Sequence, residues 1–155
     1  INDFAGATIS QLRDTIWAMN TDEISIDNIQ GRILSFIEKA KSATMGIQFH
    51  LTSHIKNDII YSSIEGINIF RIVQEAINNS IKHAQPTEIN VHMSETEEKV
   101  KLEITDNGMG FDPKRIESGN GLENMHHRTH EINGEISMLS ELDKGTTITL
   151  TIGKK

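Results

Sequence analysis

The sequence predicts an α+β fold, a two-layer α/β sandwich with helices on one face of a mixed, largely antiparallel sheet. Three observations carry that expectation. Apolar residues recur at helical spacing over three long segments and one short one. Short segments of alternating character sit between and after them, two of the pairs joined by polar turns. One glycine-rich stretch, residues 106–121, interrupts the order.

Residues 3–19 are expected to be helical, with Ile9, Leu12 and Ile16 in register and Trp17 and Met19 widening the apolar side. This helix has no obvious partner of its own and reads as the continuation of an upstream element. A second helix is expected from Asp27, as N-cap, to Ala43, with Ile29, Ile33, Phe36, Ile37 and Ala40 facing inward. Gly46 to Leu51 alternates and reads as a strand. A third helix is expected over 63–84, ended by Gln85-Pro86 because proline disfavours helix in the residue before it. Two strands, 88–94 and 99–105, follow around a polar turn. Residues 106–121 hold four glycines and a proline, and a loop of that length is usually functional. A helix over 122–132 is expected to stop at Asn133-Gly134, a good C-cap. The chain closes as a hairpin, 135–140 and 146–152, turned at Asp143-Lys144-Gly145. There are no internal repeats and no low-complexity segments.

Composition narrows the function classes. The 155 residues suit one domain with a real core, and 36% hydrophobic with 24% charged residues fits a globular protein. No apolar run approaches the roughly 18 residues that span a bilayer, and no signal peptide opens the chain. Without cysteine there is no disulfide, thiolate zinc site or thiol nucleophile, so a cytoplasmic setting is expected. A formal net charge of −7 argues against nonspecific binding to nucleic acid or anionic membrane. A nucleotide can still be bound where the cations are local or supplied by a metal. The chain begins at Ile1 rather than methionine, and is expected to be a piece of something longer.

The helix at 63–84 carries the first chemical signal. At about 100° per residue, Glu75, Asn79, Lys82 and His83 fall within roughly a third of a turn. An ordinary solvated face explains such a stripe on most helices. Here Asn78-Asn79 sits mid-helix, where asparagine is a poor helix former, and an amide oxygen suits Mg²⁺, which keeps waters and takes its other oxygens from phosphates. Next comes Asp106-Asn107-Gly108-Met109-Gly110-Phe111, directly after a strand. Asp106 there can accept from the exocyclic amine of adenine, although Asp-Asn-Gly is also good turn chemistry. Gly119-Asn120-Gly121-Leu122 then precedes a helix, exposing free N–H groups and the positive dipole end to phosphate. Gly145-Thr146-Thr147-Ile148 comes last, and alone reads as a turn into a strand.

In this order the four elements resemble the Bergerat nucleotide fold shared by gyrase, a heat-shock chaperone family, sensor histidine kinases and mismatch-repair ATPases. Within it, Gln74-Glu75-Ala76-x-x-Asn79-x-x-Lys82-His83-Ala84 is similar to the catalytic ATP-binding domain of two-component sensor histidine kinases that pair with helix-turn-helix response regulators. Leu12-Arg13-Asp14-Thr15-Ile16-Trp17-Ala18-Met19 resembles the end of their second dimerisation helix. Gly121-Leu122-x-x-Met125-x-x-Arg128 resembles the helix after their lid.

The resemblance implies ATP and Mg²⁺ as ligands, with residues 1–20 a remnant of the dimerisation helix and 21–155 the catalytic domain. Asn79 would coordinate the metal with Glu75 near it, Lys82 would meet phosphate, and His83 would line the base or ribose. Asp106 would bind the adenine amine. Gly108 and Gly110 would shape the base pocket, with Thr146 or Thr147 beside it. Gly119, Gly121 and Leu122 would meet phosphates at the end of a lid over 111–120, which lacks the Phe-rich box of many histidine kinases. The partners implied are the dimerisation and phosphoacceptor domain, a response regulator and a second copy in the full-length protein, which the resemblance places in the cytoplasm or at the inner membrane; no nucleic acid is expected. The family's acceptor histidine lies upstream of the Trp17 region, and none of the seven histidines here is in that setting. Other readings are an ATP hydrolase or serine kinase, in which Glu75 would act as base, and a nucleotide-sensing docking module without turnover.

Overall fold

The computed structural model describes residues 2–115 and 119–155, and in the first helix the side chains of residues 6, 8, 9, 12, 13, 15–17 and 19. In chain order the elements are α1 (Asn2–Met19), β1 (Glu23–Ser25), α2 (Ile26–Ala43), β2 (Gln48–Ser53), β3 (Ile60–Ser62) and α3 (Ser63–Asn79). A π-helical segment (Ser80–Ala84) extends α3, followed by β4 (Glu88–Glu95), β5 (Lys99–Asp106), α4 (Asn120–Glu131), β6 (Glu135–Glu141) and β7 (Gly145–Gly153). Five strands form one sheet in the order β2-β4-β5-β7-β6. Only β2 and β4 run parallel; the other neighbours are antiparallel. The expected mixed, largely antiparallel sheet with its helical layer is the observed one.

Period-two alternation sets the faces of that sheet. Ile89, Val91 and Met93 on β4, Val100, Leu102 and Ile104 on β5, and Ile148, Leu150 and Ile152 on β7 are all buried. They meet Ile29, Ile33 and Ile37 of α2 and Ile69, Val73 and Ile77 of α3 in one core. Phe36 and Phe70 pack edge to face across the two helices, ring centres 6.4 Å apart.

Local chemistry moves several boundaries. The N-cap of α2 is Ser25, not Asp27: its hydroxyl accepts from the Asn28 N–H at 3.1 Å, and Asn28 Oδ1 accepts in return from Ser25 N–H. Asp27 lies in the first turn, where its charge complements the helix dipole. Ser62 and Glu65 build the same reciprocal box at α3. At the end of α4 Asn133 adopts φ 51, Gly134 N–H reaches Thr129 O at 3.0 Å, and Asn133 N–H reaches His130 O at 3.1 Å. That is the Schellman closure the Asn-Gly pair foretells. The predicted strand at 46–51 is shifted to 48–53, and α4 starts two residues earlier than expected.

A second, two-stranded sheet was not expected. β1 and β3 pair antiparallel with Ile24 opposite Tyr61, both buried. It joins the α1–α2 connection to the start of α3, where Ser63 N–H also donates to Asp22 O at 3.1 Å. α1 packs against α3 near this junction. Trp17 is half-buried against the core, with the Arg32 guanidinium 4.6 Å above its ring. By contrast Ile9, Leu12, Ile16 and Met19 are each more than half exposed, an apolar stripe along the free side of α1.

The last residues are tied back by carboxylates. Glu95 accepts from Lys154 Nζ at 2.6 Å, Lys56 N–H at 2.7 Å and Asn57 Nδ2 at 3.0 Å. Lys154 first, then the Lys56 and Asn57 donors, hold the Glu95 carboxyl down at about 2. Lys155 meets Glu65 at 2.8 Å. Burial pushes the Glu65 carboxyl up, but the Lys155 ammonium and the Ser62 donors outweigh it and hold it below the ordinary value.

Candidate active site

Four parts of the chain converge on one cavity of about 590 Å³, a volume that suits a drug-sized ligand. The end of α3 and its π-helical extension supply one wall. Glu75, Asn79, Lys82 and His83 all line it, as the stripe predicted. The predicted α-helix over 63–84 gives way to the wider turn at Ser80, whose hydroxyl lies 3.2 Å from the Ala76 carbonyl. Wide turns of this kind cluster at functional sites. Gln85 closes the segment at φ 49, ahead of Pro86.

Asp106 forms the second wall. It is the last residue of β5, only 4% exposed, and stands opposite Thr146 on β7. Its Oδ2 accepts from Ser80 Oγ at 2.7 Å and its Oδ1 from Gly108 N–H at 2.9 Å. Gly108 does not line the cavity but holds the loop: a Cβ there would run into the Ala84 carbonyl, which also accepts from Met109 N–H at 2.8 Å. Gly110 does line it, at φ 58 and against the Glu141 carbonyl, so both conformation and space demand glycine. Asn107 faces away, its Oδ1 accepting from Thr87 and Glu88 N–H groups at 2.9 Å each.

The start of α4 completes the cavity with Gly119, Gly121 and Leu122. Gly121 lies so close to α3 that a Cβ would run into the Glu75 carboxylate. Of the threonine pair, Thr146 lines the cavity, with its hydroxyl 2.8 Å from Ser140 Oγ. Thr147 turns the other way and meets Thr105 at 3.2 Å. The expected lid over 111–120 includes residues 116–118, which lie outside the described residues. His126, His127 and His130 are exposed on the outer side of α4, away from this chemistry.

Three features of the site carry little signal in the sequence. Ser80 is buried beside Asp106, and its spacing of four from Ala76 and Ala84 was the available signal, since a hydroxyl on a packing face needs a partner. Met138 and Ile148 form an apolar floor, indistinguishable in sequence from ordinary core. Asn68 is buried in α3, where it accepts from Arg128 Nη1 at 2.9 Å and donates to Glu131 Oε2 at 3.1 Å, latching α4 to α3.

The donor set fits a hard cation. Glu75 and Asn79, one turn apart, offer carboxylate and amide oxygens of the kind Mg²⁺ accepts. Among the described residues no cluster of three or more His, Asp or Glu could hold a metal alone, so a cation at Asn79 would draw its other ligands from phosphate and water. Lys82 and the free N–H groups at the start of α4 flank that position on the same cavity.

The fold is one shared with solved histidine kinases. The chain superposes on the mycobacterial sensor histidine kinase MprB with a TM-score of 0.67 at 18% identity, covering 86% of this chain and 97% of that one. With the blue-light activated histidine kinase EL346 of Erythrobacter litoralis the TM-score is 0.74 at 18% identity, over 97% of this chain and 54% of that one. At such identities the likeness is one of fold. Residues 65–155 match the histidine kinase-, DNA gyrase B- and HSP90-like ATPase family, and the chain belongs to it. The sensor protein VraS of Staphylococcus saprophyticus is 34% identical over 115 residues, 72% of this chain and 33% of VraS. The chain thus spans about a third of that relative's length. Family and relative together make it a histidine kinase-type ATPase domain.

Proposed function

We propose that residues 21–155 present the γ-phosphoryl group of Mg-ATP to a histidine on an upstream dimerisation domain, and that residues 1–20 are the end of that domain's second helix. The observation that supports this best is the convergence of Glu75, Asn79, Lys82, His83, Asp106 and Gly121 on one cavity. Asn79, with Glu75 beside it, would hold Mg²⁺, and Lys82 would meet phosphate. Asp106 would accept from the adenine amine, with His83, Gly110 and Thr146 around the base and ribose and Gly108 holding the loop. Gly119 and Gly121 would offer N–H groups to the phosphates, with Leu122, whose own N–H donates to Gly119 O at 3.2 Å, beside them. Magnesium, when bound, neutralises charge on the β- and γ-phosphates. The protein's own part is positioning and water exclusion, which phosphoryl transfer chiefly demands.

The exposed stripe Ile9, Leu12, Ile16 and Met19 alternates three- and four-residue steps, the spacing of a coiled-coil seam. It supports a homodimer in the full-length protein through paired dimerisation helices. None of the seven histidines lies on α1, so the acceptor is supplied from outside this chain. Among the described residues no helix is long and apolar enough to cross a membrane; an inner-membrane anchor would lie elsewhere in the full-length protein. A helix-turn-helix response regulator would take the phosphoryl group onward.

Incubation with γ-labelled ATP tests the proposal. The chain alone is expected to stay unlabelled, and a dimerisation-domain partner is expected to acquire an acid-labile phosphohistidine. An Asn79→Ala chain should transfer nothing to that partner. Stable labelling of the isolated chain on serine would overturn the histidine-kinase reading.

A further inference from the structure

Ser80 is a buried polar residue that phosphate and metal binding leave without a task. It is 7% exposed and lines the cavity between Asn79 and Lys82. Its hydroxyl has one hydrogen and two candidate acceptors: Asp106 Oδ2 at 2.7 Å and the Ala76 carbonyl at 3.2 Å. The carboxylate is nearer and charged, so it takes the hydrogen. The other carboxylate oxygen accepts from Gly108 N–H at 2.9 Å. One donor on each oxygen fixes the plane of the Asp106 carboxylate. Only acceptor lone pairs are then left to face the cavity. Thr146, although opposite Asp106, has its hydroxyl 2.8 Å from Ser140 Oγ.

We infer that Ser80 is a specificity-determining positioning residue, holding Asp106 as an acceptor aimed at a 6-amino group and so excluding 6-oxopurine nucleotides. The inference rests on the nucleotide reading above and adds to it the residue that sets purine choice. A 6-amino group donates to the fixed carboxylate. A 6-oxo group brings a second acceptor against the same lone pairs, and a site built to bond one partner rejects an analogue that leaves it unpaired. Without the Ser80 donor, Oδ2 loses its partner and the carboxylate turns about its terminal torsion, which is soft.

Calorimetric titration of the chain with ATP and with inosine triphosphate, both with Mg²⁺, tests this in the parent, Ser80→Ala, Ser80→Cys and Ser80→Thr. The parent is expected to prefer ATP. Ser80→Ala should lose roughly tenfold in ATP affinity, the scale of one hydrogen bond to a charged group, with inosine triphosphate unchanged or bound more tightly. Ser80→Thr keeps the hydroxyl and should restore the preference, with the weak thiol donor of Ser80→Cys in between. An unchanged ratio in Ser80→Ala overturns the role of Ser80 alone. So do equal losses for both nucleotides with a lowered Tm, which would make Ser80 a packing residue of the wide turn. A parent that binds neither nucleotide overturns the nucleotide reading itself.

Discussion

Replacing Asn68 with alanine should loosen α4 from the cavity it helps to build. Asn68 is 3% exposed and makes two hydrogen bonds to charged partners, from Arg128 at 2.9 Å and to Glu131 at 3.1 Å. α4 buries only Met125 and Thr129 of its own, so apolar contact alone holds it weakly. Hydrogen bonds to charged groups contribute about 1.5–3 kcal/mol each. Arg128 and Glu131 stay three residues apart on one helix face and can pair with each other, recovering about 0.2–0.5 kcal/mol. A net loss of about 2–3 kcal/mol follows, with half-exposed partners taking the lower end because water satisfies them. For a chain of this size, about 2–4 °C per kcal/mol makes that a fall in Tm of about 5–10 °C. Thermal unfolding followed by circular dichroism measures it. ATP affinity, titrated in the same samples, should fall too, because Gly121 and Leu122 ride on α4. A variant that unfolds at the parent's temperature and binds ATP as tightly would refute the latch.

Gly121→Ala places a Cβ against the Glu75 carboxylate; phosphotransfer to a dimerisation-domain partner should drop roughly a hundredfold, the scale of a displaced catalytic contact, while Tm stays near that of the parent. For Glu95 the sign follows from its depressed value: its contribution is present above the ordinary 4.5 and is lost as pH falls toward about 2. Tm of Glu95→Gln should therefore lie below that of the parent at neutral pH and decline less steeply through that acid window. Parallel Tm–pH curves for the two proteins would count against the clamp.

Elements with several periods of pattern were legible in the sequence, and elements made by distant pairing were not. Ile29, Ile33 and Ile37 mark α2, and the alternation of Ile89, Val91 and Met93 marks β4, because each repeats often enough to separate one period from the other. β1 and β3 are three residues each, too short to show alternation, and exist because Ile24 and Tyr61 find each other across the intervening α2 and β2. The π-helical turn escaped for a related reason. A helical wheel assumes a fixed angle per residue, so it orders Glu75 and Asn79 correctly and says nothing about a widened turn beneath Lys82 and His83.

Within the site, residues whose chemistry stands out against their surroundings were readable, and those that resemble structural filler were not. Asp106 announces itself at a strand end, whereas Ser80 and Asn68 look like neutral positions on a helix until burial gives their polar atoms obligatory partners. The choice between Thr146 and Thr147 was in the sequence all along. Ile148, Leu150 and Ile152 fix which parity of β7 faces the helices, and Thr146 shares it. Strand parity therefore assigns to the cavity the threonine opposite Asp106, and assigns Thr147 to the open face with Thr105. This corner of the cavity is thus built from both logics at once. Periodicity delivers Asp106 and Thr146 to the same face, and the wide turn, which periodicity cannot foresee, delivers the Ser80 hydroxyl that meets Asp106.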